Sequence, residues 1–206
     1  MTPQMGVYTK QDADADIAAH AADLDAHIAH LVRRPLVGQY WCGIPVHSVT
    51  TAGVGAGAMH ASLIYVPRTM TFDQIAIEVT VAMAAGKKAN LSLYDMDYTN
   101  WKPINLVLDA GAVLCDTTGV KSITINKQLT KGIYWGVLDP EDSVTYRSWN
   151  QALALMGYQD NLFQRINDSY YATHVYGAAP ATFPTAGAGY YYQRAAAVQL
   201  RLASLD

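Results

Sequence analysis

The sequence predicts a mainly β protein. An antiparallel, jelly-roll-like β-sandwich head at 38–206 is preceded, at 1–37, by a leader and a short trimerising coiled-coil helix. Three observations carry this expectation. Ile17, Leu24 and Leu31 recur every seven residues, and Ala21 and Ile28 fall four residues after the first two, which makes a d/a seam. Beyond Gly38 the chain breaks into short alternating runs separated by turn residues. The composition also disfavours a helical protein, because Glu78 and Glu141 are the only glutamates against 15 Gly and 14 Tyr.

Length and charge bound the possible functions. A chain of 206 residues makes one large domain or two small ones, and 51% hydrophobic residues can bury a real core. The net charge is −3 and there is no basic run, only the pairs Arg33-Arg34 and Lys87-Lys88, so no nucleic-acid partner is expected. No apolar stretch approaches a membrane span, and the N-terminus has no apolar h-region of a signal peptide. Cys42 and Cys115 are too few for a disulfide framework. Both sit in apolar surroundings and read as buried free thiols, which fits synthesis in a bacterial cytoplasm.

Taken in order, residues 1–11 are a leader or docking peptide. The helix spans 12–32 and stops ahead of Pro35, which cannot continue it. So short a helix is marginal alone in water. As a coiled coil it gathers copies of the head, and the expected assembly is a homotrimer. The alternative is an amphipathic helix packed on its own domain. Residues 33–38 are a hinge. Gln39–Cys42 reads as a first strand, Thr50–Ala58 as a flexible loop, and Met59–Val66 as a strand ended by Pro67. The clearest strand lies in Phe72–Met83, with Ile75, Ile77, Val79 and Val81 on one face and Gln74, Glu78 and Thr80 on the other.

Leu91–Asp95 is the next strand. Ile104–Leu108 and Ala112–Cys115 flank an expected turn at Asp109–Gly111. Ile123 and Ile125 alternate with Ser122 and Thr124, and Ile133, Trp135 and Val137 share a face. Val144–Trp149 is a further strand, and Ala197–Ala203 is the last, with Val198, Leu200 and Leu202 inward. Asn150–Met156 reads as one or two helical turns capped by Asn150, or as a packed loop. From there to Gln193 no pattern holds, and long irregular stretches in compact domains are usually functional or mobile.

No catalytic or metal constellation stands out. Asp95 and Asp97 mimic the opening of a calcium loop, but Asn100 and Leu106 occupy the positions of its turn glycine and bidentate acid. An Asx-type turn is the better reading. His20, His27 and His30 have no zinc-site spacing and read as solvated flanks, although trimer symmetry would bring three copies of one histidine together. No Ser-His-Asp order is recognisable, so neither an enzyme nor a cofactor is expected. Exposed aromatic faces beside Asp, Asn or Gln suit carbohydrate recognition. Three sets qualify: Tyr98, Asn100 and Trp101; Tyr146, Trp149, Tyr158 and Asn161; and Tyr170 with Tyr171. Each has ordinary loop packing as its alternative.

The words VPRTMTFDQIAIEVTVA, LSLYDMD, LVLDAGAVLCDTTGVKSITINKQLTKGIYWGVL and GAAPATFPTAG, in that order over about 59–202, carry a resemblance. The chain resembles the β-sandwich heads of bacteriophage tail-fibre, receptor-binding and head-spike proteins, and their relatives in prophages and gene transfer agents. The resemblance implies a trimeric virion surface protein whose jelly-roll head attaches to the host cell, and the aromatic sets make surface polysaccharide the expected receptor. It also implies contacts with other virion proteins through the N-terminus. It leaves tail, baseplate and capsid vertex open as locations. A purely structural capsid-decoration or tail-connector protein is the rival expectation, and a glycan depolymerase or esterase is a second.

Overall fold

The computed structural model describes residues 35–41, 46–152, 169–190 and 195–205. The heptad residues Ile17, Ala21, Leu24, Ile28 and Leu31, together with Cys42, Tyr158 and Asn161, lie outside the described residues. The described chain is mainly β, built from two antiparallel sheets.

The strands are β1 (Tyr40–Trp41), β2 (Val46–Val54), β3 (Ala58–Val66), β4 (Met70–Val81), β5 (Lys88–Asp97), β6 (Lys102–Leu114) and β7 (Gly119–Leu129). They continue as β8 (Gly132–Pro140), β9 (Val144–Ala152), β10 (Ser169–Thr173), β11 (Gly189–Tyr190), β12 (Ala195–Ala196) and β13 (Gln199–Leu205). In the first sheet β2 pairs with β9, β9 with β4, and β4 with β7. The second sheet runs β11-β10-β3-β8-β5-β6. From β2 to β5 each connection carries the chain from one sheet to the other, so inward residues of both sheets share one core.

The chain's last stretch opens a seam in the first sheet. β4 and β9 pair directly only through Val79 with Tyr146 and Val81 with Thr145. Beyond that point β12 follows β9, at Trp149 and Ser148, while β13 follows β4 from Ala76 to Met70 and carries β1 on its far side. Arg201 grips the Asp73 carboxylate at 2.8 Å through both Nε and Nη2, which ties β13 to β4. Pairing shifts near Asp73 reset the strand's phase. Met70 and Phe72 therefore point inward before it, and Ile75, Ile77 and Val79 after it.

Several expectations change. Ile75, Ile77 and Val79 are buried as expected, but Val81 is 59% exposed, where β4 ends. Thr50–Val54, expected as loop, is the second half of β2. It buries Ala52 and Val54 against the core, and only residues 55–57 turn, with Gly57 at φ +85°. Asp109–Gly111 is not a turn either. β6 runs straight through it, and a bulge absorbs the extra residue, with Gly111 at φ +88° and its amide on Asp109 Oδ1 at 3.0 Å. Asn150–Ala152 continue β9 rather than starting a helix. Cys115 is a buried free thiol, pushed up to about 11 by that burial.

The segment 174–188, which carries no periodic pattern, is a strap across the outer face of the second sheet. It leaves β10, crosses to the free edge of β6, and pairs there through Leu106 with Ala181, Asn105 with Thr182 and Ile104 with Phe183. Phe183 lies edge-on to Tyr94 (5.2 Å) and Tyr170 (5.9 Å). With both faces covered, β3 and β8 are buried along most of their length, which hides their alternation in the sequence.

Candidate functional site

The tip between β5 and β6 is built around Asp97. Its Oδ1 accepts the amides of Thr99 (2.9 Å) and Asn100 (3.1 Å), and its Oδ2 accepts Asn100 Nδ2 at 2.8 Å. The Trp101 amide donates to the Asp97 carbonyl at 2.7 Å. This is the Asx-type turn that the sequence favours over a calcium loop. The Asn100 side chain, then the Asn100 and Thr99 amides and the Lys102 charge, hold the Asp97 carboxyl below its ordinary value against the opposing effect of burial. Asp95 is engaged separately, accepting the Asn105 amide at 2.7 Å and its side-chain Nδ2 at 3.1 Å.

The same turn presents the first aromatic set. Tyr98 is 60% exposed, and its hydroxyl accepts the Ile133 amide at 3.1 Å, which anchors the ring's far end. Asn100 is exposed and Trp101 is half-buried. Trp101 has φ +51°, in the left-handed region. For a residue with a side chain that conformation costs about 1–2 kcal/mol. Asp97 and its three-residue cap hold the backbone there, and strain of this kind clusters at binding and active sites.

The second set does not form a recognition surface. Tyr146, 1% exposed, belongs to the core, because its position on β9 points inward beside Val144. Trp149 points outward yet is only 5% exposed, and among the described residues its Nε1 has no acceptor. Both sit on a strand rather than a loop and are buried, so the set makes no exposed aromatic platform.

In the third set, Tyr170 and Tyr171 point to opposite sides of β10. Tyr170 packs under the strap beside Trp135 (6.3 Å) and Phe183, while Tyr171 stacks on His60 at 6.3 Å. Burial pushes His60 down to about 4, so it is uncharged at neutral pH.

Sequence reasoning missed the polar pegs of the strap. Asp139 on β8 takes His174 Nδ1 at 2.9 Å, Asn90 on β5 holds Tyr176 and the Gly177 carbonyl, and Tyr94 donates to the Pro180 carbonyl at 2.7 Å. The Ala179 amide donates to Asp109 Oδ2 at 3.2 Å. The partners stand far apart in sequence and belong to no motif, so no local signal marks them. The Asp–His pair resembles half of a catalytic triad. Among the described residues, however, no hydroxyl or thiol is hydrogen-bonded to His174, and the pair fastens the strap.

No protein-family model and no curated protein matches the chain.

Proposed function

We propose that this chain is a non-enzymatic virion surface protein that mediates attachment to the host cell surface. It binds surface carbohydrate as a homotrimer and joins other tail, baseplate or capsid proteins through its N-terminal segment. The observation that carries the reading is the Asp97-capped tip. The strands present exposed Tyr98 and Asn100 beside half-buried Trp101 in a strained turn, which suits recognition better than packing. The strand order supports a jelly roll, because β2-β9-β4-β7 against β3-β8-β5-β6 is the arrangement that two successive Greek keys generate. The resemblance to phage heads and the heptad seam support the virion setting and the trimer. Three weak sites on one assembly gain avidity without new contacts.

A purely structural capsid-decoration or connector role is the second reading. The burial of Tyr146 and Trp149 favours it, since those aromatics serve packing. Labelled full-length protein incubated with bacterial cells, with and without removal of surface polysaccharide, separates the two. Attachment predicts binding that disappears with the polysaccharide. Absence of binding to every strain tested supports the structural role.

A further inference from the structure

The seam where β4 and β9 part leaves a cleft of about 380 Å³ on the outer face of the first sheet. That volume falls in the range of small-molecule sites, about 300–1,000 Å³. Its walls come from six strands, and none of them is part of the tip at Asp97. Val49 and Val120, 56% and 64% exposed, form apolar sides with the Trp149 wall. Across the cleft Arg147 holds Glu78 through Nε (3.0 Å) and Nη2 (2.9 Å). Each partner therefore favours the other's charged form: Glu78 is held below its ordinary value and Arg147 above.

Hydrogen-bonding capacity is left over around this apolar frame. The Tyr40 hydroxyl lies 2.7 Å from the Gln74 carboxamide, and a hydroxyl so paired still has hydrogen-bonding capacity to spare. Tyr40 lines the cleft and is 38% exposed. Arg147 Nη1 and the Gln199 carboxamide have no hydrogen-bond partner among the described residues. Glu78 retains lone pairs beyond those that Arg147 uses. Donors and acceptors thus alternate with apolar surface around a space suited to a single ring rather than a long polymer.

We infer that this cleft is a binding subsite for an uncharged pyranose ring, with its apolar face against Val49, Val120 and the Trp149 wall and its hydroxyls on Tyr40, Arg147, Glu78 and Gln199. The ring is uncharged because Glu78 and Arg147 already neutralise each other. A sugar carboxylate would face Glu78, and an ammonium group would face Arg147. The inference rests on the carbohydrate reading above and extends it to a second location, away from the tip.

The test is NMR titration of the full-length protein with glucose, galactose and N-acetylglucosamine, with glucuronate as the charged comparator. Saturable binding of at least one neutral sugar is expected, with glucuronate weaker. Val120→Trp places a large ring in the cleft from an exposed position, and Gln199→Ala removes a polar contact. Both should weaken binding at least tenfold with unchanged melting, and the sugar-induced shifts should map to the cleft residues Val49, Val120 and Gln199. No binding by any neutral sugar, tighter binding of glucuronate, or full binding by folded Val120→Trp would overturn the inference. Sugar-induced shifts confined to residues 97–102 would overturn it too and leave the tip as the only site. Cell binding is scored separately, so a protein that binds cells without using the cleft fails this inference alone.

Discussion

The Asp139 carboxylate, 2% exposed on β8, accepts a 2.9 Å hydrogen bond from His174 Nδ1 at the start of the strap. Burial raises the Asp139 carboxyl above its ordinary value of 3.8, outweighing the His174 charge and hydrogen bond and the Gly177 amide, which lower it. Between the unfolded and folded values the unfolded chain has lost a proton that the folded chain keeps. The stability owed to Asp139 is thus fully present below the unfolded value and is lost as pH rises through the folded one. Asp139→Asn removes this slope. In urea unfolding from acid to neutral pH, the variant should gain on the wild type as pH rises, and a constant difference would refute the assignment. His174→Ala strands the buried carboxylate and should cost about 1–3 kcal/mol.

Gly136 leaves no room for a side chain in the core. A Cβ there would come within 2.8 Å of Ile64 Cδ1 and of Val198 Cβ, where the last stretch of chain crosses from β9 to β4. Gly136→Ala should therefore overpack the core and cost about 1–3 kcal/mol. A melting temperature equal to the wild type's would show that the crossing segment yields.

β4 offers a paired test of register. Ile77 is 3% exposed in the core, while its neighbour Glu78 points outward to Arg147. Ile77→Ala should cost about 2–5 kcal/mol. Glu78→Gln trades a half-exposed ion pair for a weaker hydrogen bond and should cost about 1 kcal/mol or less. Chemical denaturation that ranked Glu78→Gln as the more damaging would show that the strand faces the other way.

Assembly is tested on the heptad seam. Leu24 and Ile28 occupy successive d and a positions. Replacing both with Asp would place charges in an apolar contact. Light scattering at micromolar concentration should find a trimer for the intact chain and a monomer with a folded head for the variant. A wild-type monomer would remove the seam's role.

What could be read from sequence follows the burial pattern. β4 and β13 were readable because one face is buried and the other solvated, so Ile75–Val79 and Val198–Leu202 alternate cleanly. β2 does not stand out because its second half buries Ala52 and Val54 beside Thr50, Thr51 and Gly53, residues that resemble a loop. Asp109 and Gly111 read as a turn because a bulge uses the same glycine conformation as a turn. The strap was unreadable because Asn90, Tyr94 and Asp139 hold it from strands remote in sequence. At the tip, the Asp97 turn was readable locally. The cleft was not, because its residues meet only through the sheet's seam.

The two tryptophans of the candidate sets now separate. Trp149 is 5% exposed, so Trp149→Ala empties a packed position and should cost about 3–5 kcal/mol. Trp149→Phe keeps most of the volume and removes a buried N–H that has no acceptor among the described residues, so it should cost far less. Trp101 differs in both respects. It is half-buried at the end of a capped turn, in a backbone conformation that glycine adopts freely. Trp101→Gly relieves about 1 kcal/mol of backbone strain while removing the ring. It should therefore melt close to the wild type, yet bind host cells at least tenfold more weakly if the ring is a recognition platform. Undiminished cell binding together with a large drop in melting temperature would make Trp101 a lid over the core instead. The attachment reading would then have to rest on other residues.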